Sequence, residues 1–215
     1  MPRAISFRKR NRKGVQDMIL RIENGSKRFG KNDLFDCFSC TFDFSKHSFY
    51  RVTGDSGRGK TTLLRILSSL EKLDRGEVEW ILGEAARGGE QPRVSWMFQE
   101  NRLLEGLSGI KNLSLIPSRY SFEEKKEFFA FLVGLENLDK PVSAYSGGMK
   151  RRLSFLRALI FDFSLLLLDE PSTGIDHENR VKMEEFLLSH IGKRPLIFVS
   201  HEDPILWKNY GVLKL

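Results

Sequence analysis

The first feature of this sequence that points to chemistry is a glycine-rich string at Gly54–Thr62. It fits the pattern G-x-x-x-x-G-K-[ST], follows a strand-like run at Phe49–Thr53 and precedes a segment with helical periodicity. Glycines let such a loop curl until its N–H groups point at phosphate oxygens, and the positive end of the following helix adds to the same place. The string therefore predicts a phosphate-binding loop.

Within the loop, we predict that Lys60 reaches the β- and γ-phosphates of a nucleotide and that the Thr61 hydroxyl ligates Mg²⁺. The sequence offers no explanation for a large basic residue at Arg58. The predicted nucleotide-binding residues of this loop are Gly54, Asp55, Ser56, Gly57, Arg58, Gly59, Lys60, Thr61 and Thr62.

Two adjacent carboxylates, Asp169 and Glu170, follow the wholly apolar run Leu165–Leu168. Such a run is typical of a strand that a parallel sheet buries on both faces. Carboxylates at the end of a buried strand are costly unless they bind something. We therefore predict that Asp169 is a Mg²⁺ ligand and that Glu170 is the general base for an attacking water.

A third string, Ser146-Gly147-Gly148-Met149, lies 23 residues before Asp169 and resembles the signature motif of ATP-binding cassette (ABC) ATPases. The resemblance extends from about Met18 to Leu215 and implies further roles. In this family an aromatic stacks on adenine, a glutamine contacts Mg²⁺ and takes part in catalysis, an aspartate lies in the D-loop near the nucleotide, and a switch histidine is catalytic. In this sequence the resemblance assigns the adenine-stacking aromatic to Phe29, the glutamine to Gln99, the D-loop aspartate to Asp176 and the switch histidine to His201.

The resemblance also implies a mechanism in which two copies close head to tail around two ATP molecules. Ser146, Gly147 and Gly148 of one copy would contact the γ-phosphate bound by the other. The sequence departs from the family pattern at Tyr145, where leucine is usual, and at Met149, where glutamine is commoner. We expect Tyr145 to loosen the packing of the signature helix and so to affect dimer affinity.

The surrounding pattern predicts an α/β fold. With the family resemblance, we expect a P-loop NTPase core with a mixed, largely parallel central sheet, an antiparallel β subdomain and an inserted helical subdomain at about residues 100–160. The predicted strands are Met18–Ile22, Phe38–Phe44, Phe49–Thr53, Glu77–Leu82, Val94–Phe98, Leu165–Leu168, Leu196–Ser200 and an edge strand at Val212–Leu215. The predicted helices are Thr61–Leu70, with Leu63, Leu67 and Leu70 on one face, Phe122–Val133, Ser146–Phe161 and His177–Ile191.

The net charge of +7 is unevenly placed. Residues 1–17 contain six basic residues and one acidic residue and contribute +5, so the rest of the chain is nearly neutral and its charge does not argue for nucleic acid. We interpret residues 1–17 as a disordered basic extension or an over-long start, and residues 18–215 as one ABC ATPase domain. A lipid- or nucleic-acid-binding arm and a transit peptide are the alternatives.

Cys37 and Cys40 form a C-x-x-C pair, which can begin a zinc site. A zinc site needs four ligands, and no second pair follows. Cys40 also falls in an alternation with Phe38, Phe42 and Phe44 that is typical of a half-buried strand. We therefore interpret the pair as structural.

No run of 18 or more apolar residues is present, so any membrane role must come through a partner. We predict the ATP-hydrolysing subunit of an ABC transporter at the cytoplasmic face of the plasma membrane. Its expected partners are a second cassette, a separate permease and, for import, a solute-binding protein. The string Phe98–Leu104 is similar to one in ATPases of nitrate, sulfonate and taurine importers, whereas Glu105-Gly106-Leu107 departs from that group.

Two other classes of function stay open at this point. A soluble ABC ATPase acting on DNA or ribosomes is supported by the basic residues 1–17 alone. A small-molecule P-loop kinase would explain Gly54–Thr61 but would leave Ser146–Gly148 and His201 without a role.

Overall fold

The computed structural model describes residues 18–82 and 92–215, so the basic residues 1–17 lie outside the described part of the chain. The strands are β1 (Met18–Phe29), β2 (Asn32–Asp43), β3 (Phe49–Thr53), β4 (Arg75–Leu82), β5 (Val94–Met97), β6 (Leu165–Asp169), β7 (Leu196–Val199) and β8 (Gly211–Lys214). The helices are α1 (Lys60–Leu67), α2 (Gly109–Ser114), α3 (Phe122–Leu132), α4 (Gly147–Ile160) and α5 (His177–Ile191), with 3₁₀ turns at Leu135–Asn137 and Val142–Ala144.

The central sheet has the strand order β5-β6-β7-β3-β8, and each pairing in it is parallel. Leu165 and Leu167 of β6 join one hydrophobic core, and Leu166 and Leu168 join the other. Both faces of this strand are therefore buried, which confirms the expectation drawn from its unbroken leucine run. The order also places the carboxyl ends of β3, β6 and β7 along one edge of the sheet.

The second sheet is antiparallel, with the order β2-β1-β4. Its inner face shares a core with α1 and one face of the central sheet, and Cys40, Phe42 and Phe44 are buried there. Cys37 is exposed, and both cysteines are free thiols. The alternation in β2 therefore serves packing, as predicted.

Helices α3, α4 and α5 cover the other face of the central sheet and share its second core. Helix α3 begins with a capping box in which Ser121 and Glu124 each bond the other's backbone N–H. Phe128 of α3 contacts Phe186 of α5 edge to face, with ring centroids 5.1 Å apart. The helical stretch predicted at about 100–160 thus packs against α5, as well as against the sheet.

One predicted helix is shorter than expected. Helix α1 ends at Leu67, and Leu70, which the apolar spacing predicts on its buried face, lies beyond the helix and is exposed. Ser69 takes a left-handed φ of +61°, and the N–H of Leu70 bonds back to the Arg65 carbonyl at 2.9 Å. This is the hydrogen-bond pattern that ends a helix in a Schellman motif.

Among residues 18–82 and 92–215, no helix is both long and apolar enough to cross a membrane.

Candidate functional site: a phosphate loop beside paired carboxylates

The phosphate loop connects β3 to α1 at the carboxyl edge of the central sheet. Gly59 caps α1 with a left-handed φ of +89°, and a Cβ there would lie 2.9 Å from side-chain atoms of both Leu34 and Phe35. The loop turn and the close approach of β2 thus both require glycine at this position. The Lys60 ammonium donates to the carbonyls of Gly54 at 2.7 Å and Asp55 at 2.9 Å, so it lies across the loop.

The rest of the loop faces outward. Asp55, Ser56, Gly57 and Arg58 are exposed at its tip, and Thr62 is half-buried in the first turn of α1. Because the tip is exposed, the structure does not explain why residue 58 is a large basic residue.

Thr61 and Asp169 meet although 108 residues separate them in the sequence. The Thr61 hydroxyl donates to Asp169 Oδ2 at 2.8 Å, and Asp169 is only 1% exposed at the end of β6. Burial raises the pKa of the Asp169 carboxyl above its usual range, and the neighbouring Glu170 adds to the rise. A hydroxyl and a buried carboxylate beside a phosphate loop are the hard oxygen ligands that Mg²⁺ prefers, so these residues fit that ion.

The raised pKa of Asp169 makes a prediction for the nucleotide-free protein. As the pH rises above about 4, the Asp169 carboxyl loses its proton in the unfolded chain before it does so in the folded protein. The free energy of unfolding therefore falls as the pH rises towards the folded-state pKa of Asp169, and it stays lowered at neutral pH. Asparagine carries no charge and can still accept from Thr61. We therefore expect Asp169→Asn to raise the Tm at pH 7, by about 2–4 °C for each kcal/mol gained, and the gain to vanish towards pH 4.

Thermal denaturation of the wild type and Asp169→Asn between pH 4 and pH 7.5 measures this difference. Asp139→Asn, at an exposed position, is the control and should show no such trend. A lower Tm for Asp169→Asn at pH 7 would contradict the expectation.

Glu170 and His201 form a second pair at the same edge. Glu170 Oε1 lies 3.4 Å from His201 Nε2, and the backbone N–H of His201 donates to Glu170 Oε2 at 3.4 Å. The glutamate side chain is 12% exposed and the histidine side chain 71% exposed. Glu170 takes a left-handed φ of +51°, a conformation that costs a non-glycine residue about 1–3 kcal/mol and is typical of functional sites.

The chain segment that carries His201 is held by residues that the sequence did not reveal as functional. Arg51 donates to the carbonyl of Ser200 and forms an ion pair with Asp203. Arg180 forms an ion pair with Glu202, and the Glu184 carboxylate accepts from the N–H groups of residues 205 and 206. Such charge-assisted bonds fix the backbone on either side of His201. These side chains match no local motif, so the sequence carried no signal for them.

Gln99 follows β5 and is exposed, while its backbone carbonyl accepts from Arg151 at 2.7 Å. Arg151 lies on α4 and is buried, and the same guanidinium donates to the carbonyls of Asp169 and Glu170. The structure thus links the predicted glutamine to the paired carboxylates through Arg151, for which the sequence predicts no functional role.

The signature residues lie at the start of α4. The Ser146 hydroxyl caps this helix by accepting from the N–H of Met149 at 3.2 Å, and Ser146 and Gly147 are exposed. A Cβ on Gly148 would lie 3.7 Å from Ile175. Asp176 caps α5, with its carboxylate accepting from the backbone N–H and side-chain amide of Asn179. Contacts of these residues with nucleotide stay a prediction.

Tyr145 is packed tightly, in contrast to our expectation of a loosened helix. It is buried, and its hydroxyl donates to the Asn137 carbonyl at 2.6 Å and accepts from the Gly109 N–H at 3.3 Å. A Cβ on Gly109 would lie 2.4 Å from the Phe129 ring and 2.6 Å from the tyrosine oxygen. Glycine at 109 therefore makes room for Tyr145, which anchors the residue before Ser146.

Removing the Tyr145 hydroxyl is expected to destabilise the protein. Tyr145→Phe leaves a buried N–H and a buried carbonyl without this partner, which costs about 1–3 kcal/mol in the free energy of unfolding. Urea denaturation measures the loss, and Tyr120→Phe, in a half-buried position on the surface of the same helical stretch, is the comparison. A stability equal to that of the wild type would show that the two bonds contribute nothing.

Phe29 ends β1 with its ring 49% exposed, and the Lys27 ammonium lies 5.1 Å from the ring centroid. The ring is exposed enough to stack on a base, and its contact with adenine stays a prediction. In sum, the structure joins Lys60 to its loop, Thr61 to Asp169, and Glu170 to His201. The contacts described for Phe29, Ser146 and Asp176 are with Lys27, Met149 and Asn179, outside these three groups, and Gly148 lies near Ile175.

Comparison with known proteins identifies the family. The family model described as ABC transporter matches residues 38–173. The chain is 32% identical over 195 residues to the probable sulfate/thiosulfate import ATP-binding protein CysA of Chlorella vulgaris, which covers 86% of this chain and 81% of that protein. It is 34% identical over 193 residues to the aliphatic sulfonates import ATP-binding protein SsuB of Bacillus thuringiensis, covering 86% and 76%.

A third relative, the molybdenum import ATP-binding protein ModC of Brucella abortus, is 34% identical over 168 residues, or 69% of this chain and 45% of that protein. The chain thus spans from about half to about four fifths of the length of these relatives.

Solved structures agree on the fold. A bacterial ABC transporter cassette solved as a dimer superposes with a TM-score of 0.68 at 19% identity, covering 85% of this chain and 88% of that one. A bacterial ABC exporter with ATP bound gives a TM-score of 0.72 at 16% identity, covering 87% of this chain and 35% of that one. The phosphate loop, the paired carboxylates and the family match lead to one conclusion: the chain belongs to the ABC transporter family and is an ATP-binding, ATP-hydrolysing cassette.

Proposed function

We propose that this cassette drives solute import through a separate membrane permease, by closing head to tail with a second cassette around ATP. The observation that carries the proposal is the exposure of two anion-binding elements on one chain. The phosphate loop is exposed at its tip, and the N-terminus of α4 presents Ser146 and Gly147 to solvent. Helix N-termini attract anions, so a second copy can complete the phosphate site with its own α4.

In the closed dimer, the phosphate loop and Lys60 bind the β- and γ-phosphates of ATP, and Phe29 stacks on the adenine. Glu170 accepts a proton from a water whose oxygen attacks the γ-phosphorus, and the bond to the β–γ bridging oxygen breaks to leave ADP and inorganic phosphate. His201 lies 3.4 Å from the Glu170 carboxylate and orients it. Asp176 and the signature residues contact the nucleotide from across the dimer.

Thr61 and Asp169 would hold Mg²⁺, with Gln99 as a further ligand from the loop after β5. Bound there, the ion would neutralise charge on the phosphate oxygens. The chain's own part is to orient these oxygen ligands, which it does through the hydrogen bond from the Thr61 hydroxyl to the buried Asp169 carboxylate.

Hydrolysis would then open the dimer. ADP and phosphate together carry separated negative charges that repel, and the γ-phosphate no longer bridges the phosphate loop of one copy to α4 of the other. Closing and opening would be transmitted to the permease through the surface near Gln99. We place the cassette at the cytoplasmic face of the membrane, where ATP is available.

Import is favoured over export by the names of the relatives. Proteins named for sulfate or thiosulfate, aliphatic sulfonates and molybdenum import all match, alongside one daunorubicin resistance protein. Sulfate, thiosulfate and sulfonates share a tetrahedral sulfur with anionic oxygens. We therefore propose a small sulfur oxyanion as the solute class, delivered by a solute-binding protein.

The test is purification of the tagged chain from its native membranes in mild detergent, followed by identification of the proteins that accompany it. A polytopic membrane protein in equal amount supports the transporter function, and a solute-binding protein in the complex supports import. Recovery with ribosomes or nucleic acid alone would overturn the proposal in favour of a soluble ATPase. Sulfonate- or sulfate-stimulated ATP hydrolysis of the reconstituted complex then tests the solute class.

A further inference from the structure

Arg151 on α4 is bonded to two chain segments that carry predicted catalytic residues. It is 5% exposed, and its guanidinium donates to four backbone carbonyls. One terminal nitrogen, Nη1, reaches Phe98 O at 2.8 Å and Gln99 O at 2.7 Å. The other, Nη2, reaches Asp169 O at 2.5 Å and Glu170 O at 2.6 Å.

The two segments follow neighbouring strands. Gln99 comes after β5, and Glu170 comes directly after β6, which pairs with β5 in parallel register. Where parallel strands end, the next carbonyls leave the ladder and need another partner. A guanidinium is a planar fork, so one nitrogen can serve each segment at a set separation. Arg151 thus supplies hydrogen-bond donors to the backbone carbonyls at the strand ends that carry Gln99, Asp169 and Glu170.

Neighbouring side chains on α4 show that the double contact is particular to Arg151. Ser154 donates to Asn101 O at 3.1 Å, and Arg157 donates to the carbonyls of Asn101 and Arg102. These bonds hold the segment after β5 and do not extend to β6. Within α4, Arg151 alone bonds both segments.

The backbone of Glu170 gives a second reason for the contact. Its φ of +51° is unfavourable for glutamate, and such a conformation persists only where the surroundings over-determine it. The Glu170 N–H donates to Val199 O at 2.9 Å, and the Glu170 carbonyl accepts from Arg151. The arginine therefore helps to hold the direction in which the Glu170 side chain leaves the chain, together with Val199 and with the Thr173 N–H, which donates to the same Glu170 carbonyl at 3.3 Å.

We propose that Arg151 is a positioning residue for ATP hydrolysis, whose guanidinium sets the placement of Glu170 relative to Gln99. The inference rests on the proposed roles of these two residues. Because Arg151 bonds backbone carbonyls beyond the phosphate loop, it acts on the hydrolytic step and leaves nucleotide binding nearly unchanged.

Two variants test this role. Arg151→Met removes every donor at similar volume, and Arg151→Lys keeps the charge on one nitrogen, which cannot serve both segments as a fork does. We expect kcat to fall by about 10-fold or more in Arg151→Met and by a smaller factor in Arg151→Lys, since misplacement of a reacting group by a fraction of an ångström has effects of this order. The Kd for a fluorescent ATP analogue is expected to stay within about 3-fold of the wild type in both.

Arg194→Met is the matched control. Arg194 is also buried and also donates to backbone carbonyls, those of His190 and Ile191, but it precedes β7 at the opposite edge of the sheet. Its loss is expected to lower the Tm without changing kcat per folded molecule. If Arg151→Met does not fold, Arg151→Lys decides the question.

Hydrogen exchange supplies a readout that does not depend on turnover. In the nucleotide-free protein, the amides at 98–102 and those of Asp169 and Glu170 are expected to exchange faster in the Arg151 variants than in Arg194→Met. Wild-type kcat in Arg151→Lys, an equal kcat loss in Arg194→Met, or an ATP Kd that weakens in step with kcat would each overturn the inference. An inactive wild type would instead contradict the proposed function, so the two failures are distinguishable.

Discussion

Glu170→Gln is expected to slow ATP hydrolysis by about 10²–10⁴-fold, the usual contribution of a positioned general base. Glutamine has nearly the same shape as glutamate, so the backbone at φ +51° and the neighbouring His201 can remain in place. Its amide oxygen, however, cannot take a proton from the attacking water. ATP therefore stays bound in the closed dimer, and the variant should elute as a dimer with ATP while the wild type returns to monomer.

Single-turnover hydrolysis and size-exclusion chromatography with ATP measure the two effects. Glu123→Gln makes the same substitution at an exposed position in the first turn of α3, away from the site, and should behave as the wild type. Near-normal turnover of Glu170→Gln would remove Glu170 as the base and would make His201, its neighbour at 3.4 Å, the stronger candidate.

Lys60→Ala is expected to weaken ATP binding by about 10–100-fold and to abolish measurable hydrolysis. Hydrogen bonds to a charged group contribute about 1.5–3 kcal/mol, and 1.4 kcal/mol corresponds to a factor of ten in Kd. The Lys60 ammonium already lies across the phosphate loop on the carbonyls of Gly54 and Asp55. It is therefore close to the phosphates when they enter the loop.

Titration with a fluorescent ATP analogue measures this Kd. Lys46→Ala removes an exposed lysine from the turn between β2 and β3 and serves as the control for a lost positive charge. Equal Kd values for the wild type and Lys60→Ala would show that the backbone N–H groups of the loop bind the phosphates without the lysine.

Local patterns predicted two elements to the residue, because in these elements the chemistry is local. The strand β3 at Phe49–Thr53 and the helix α5 at His177–Ile191 have the predicted bounds. In α5 the capping residue Asp176 and the buried row Met183, Leu187 and Ile191 all agree on one helix. Successive side chains of a strand point to opposite faces, so the unbroken run of leucines in β6 predicts that both faces of this strand are buried, as they are.

Other local features could not be predicted from the sequence. The end of α1 lacks the glycine that usually marks a left-handed C-terminal residue, and Ser69 takes that conformation instead. The apolar spacing of Leu70 therefore suggested a helix three residues too long. Tyr145 departs from the family pattern, and its effect depended on whether its hydroxyl found partners. Asn137 and Gly109 supply them from two other parts of the chain.

By itself, the sequence determined which groups are available for catalysis and in what order, because glycine spacing, helix caps and apolar runs act over a few residues. The tertiary structure alone decided which of those groups meet. The strand order β5-β6-β7-β3 brings Asp169 to Thr61 and Glu170 to His201. Arg151 reaches both strand ends because α4 packs across them. Such contacts depend on which strands become neighbours, and hydrophobic periodicity fixes the faces of a strand without choosing its neighbours.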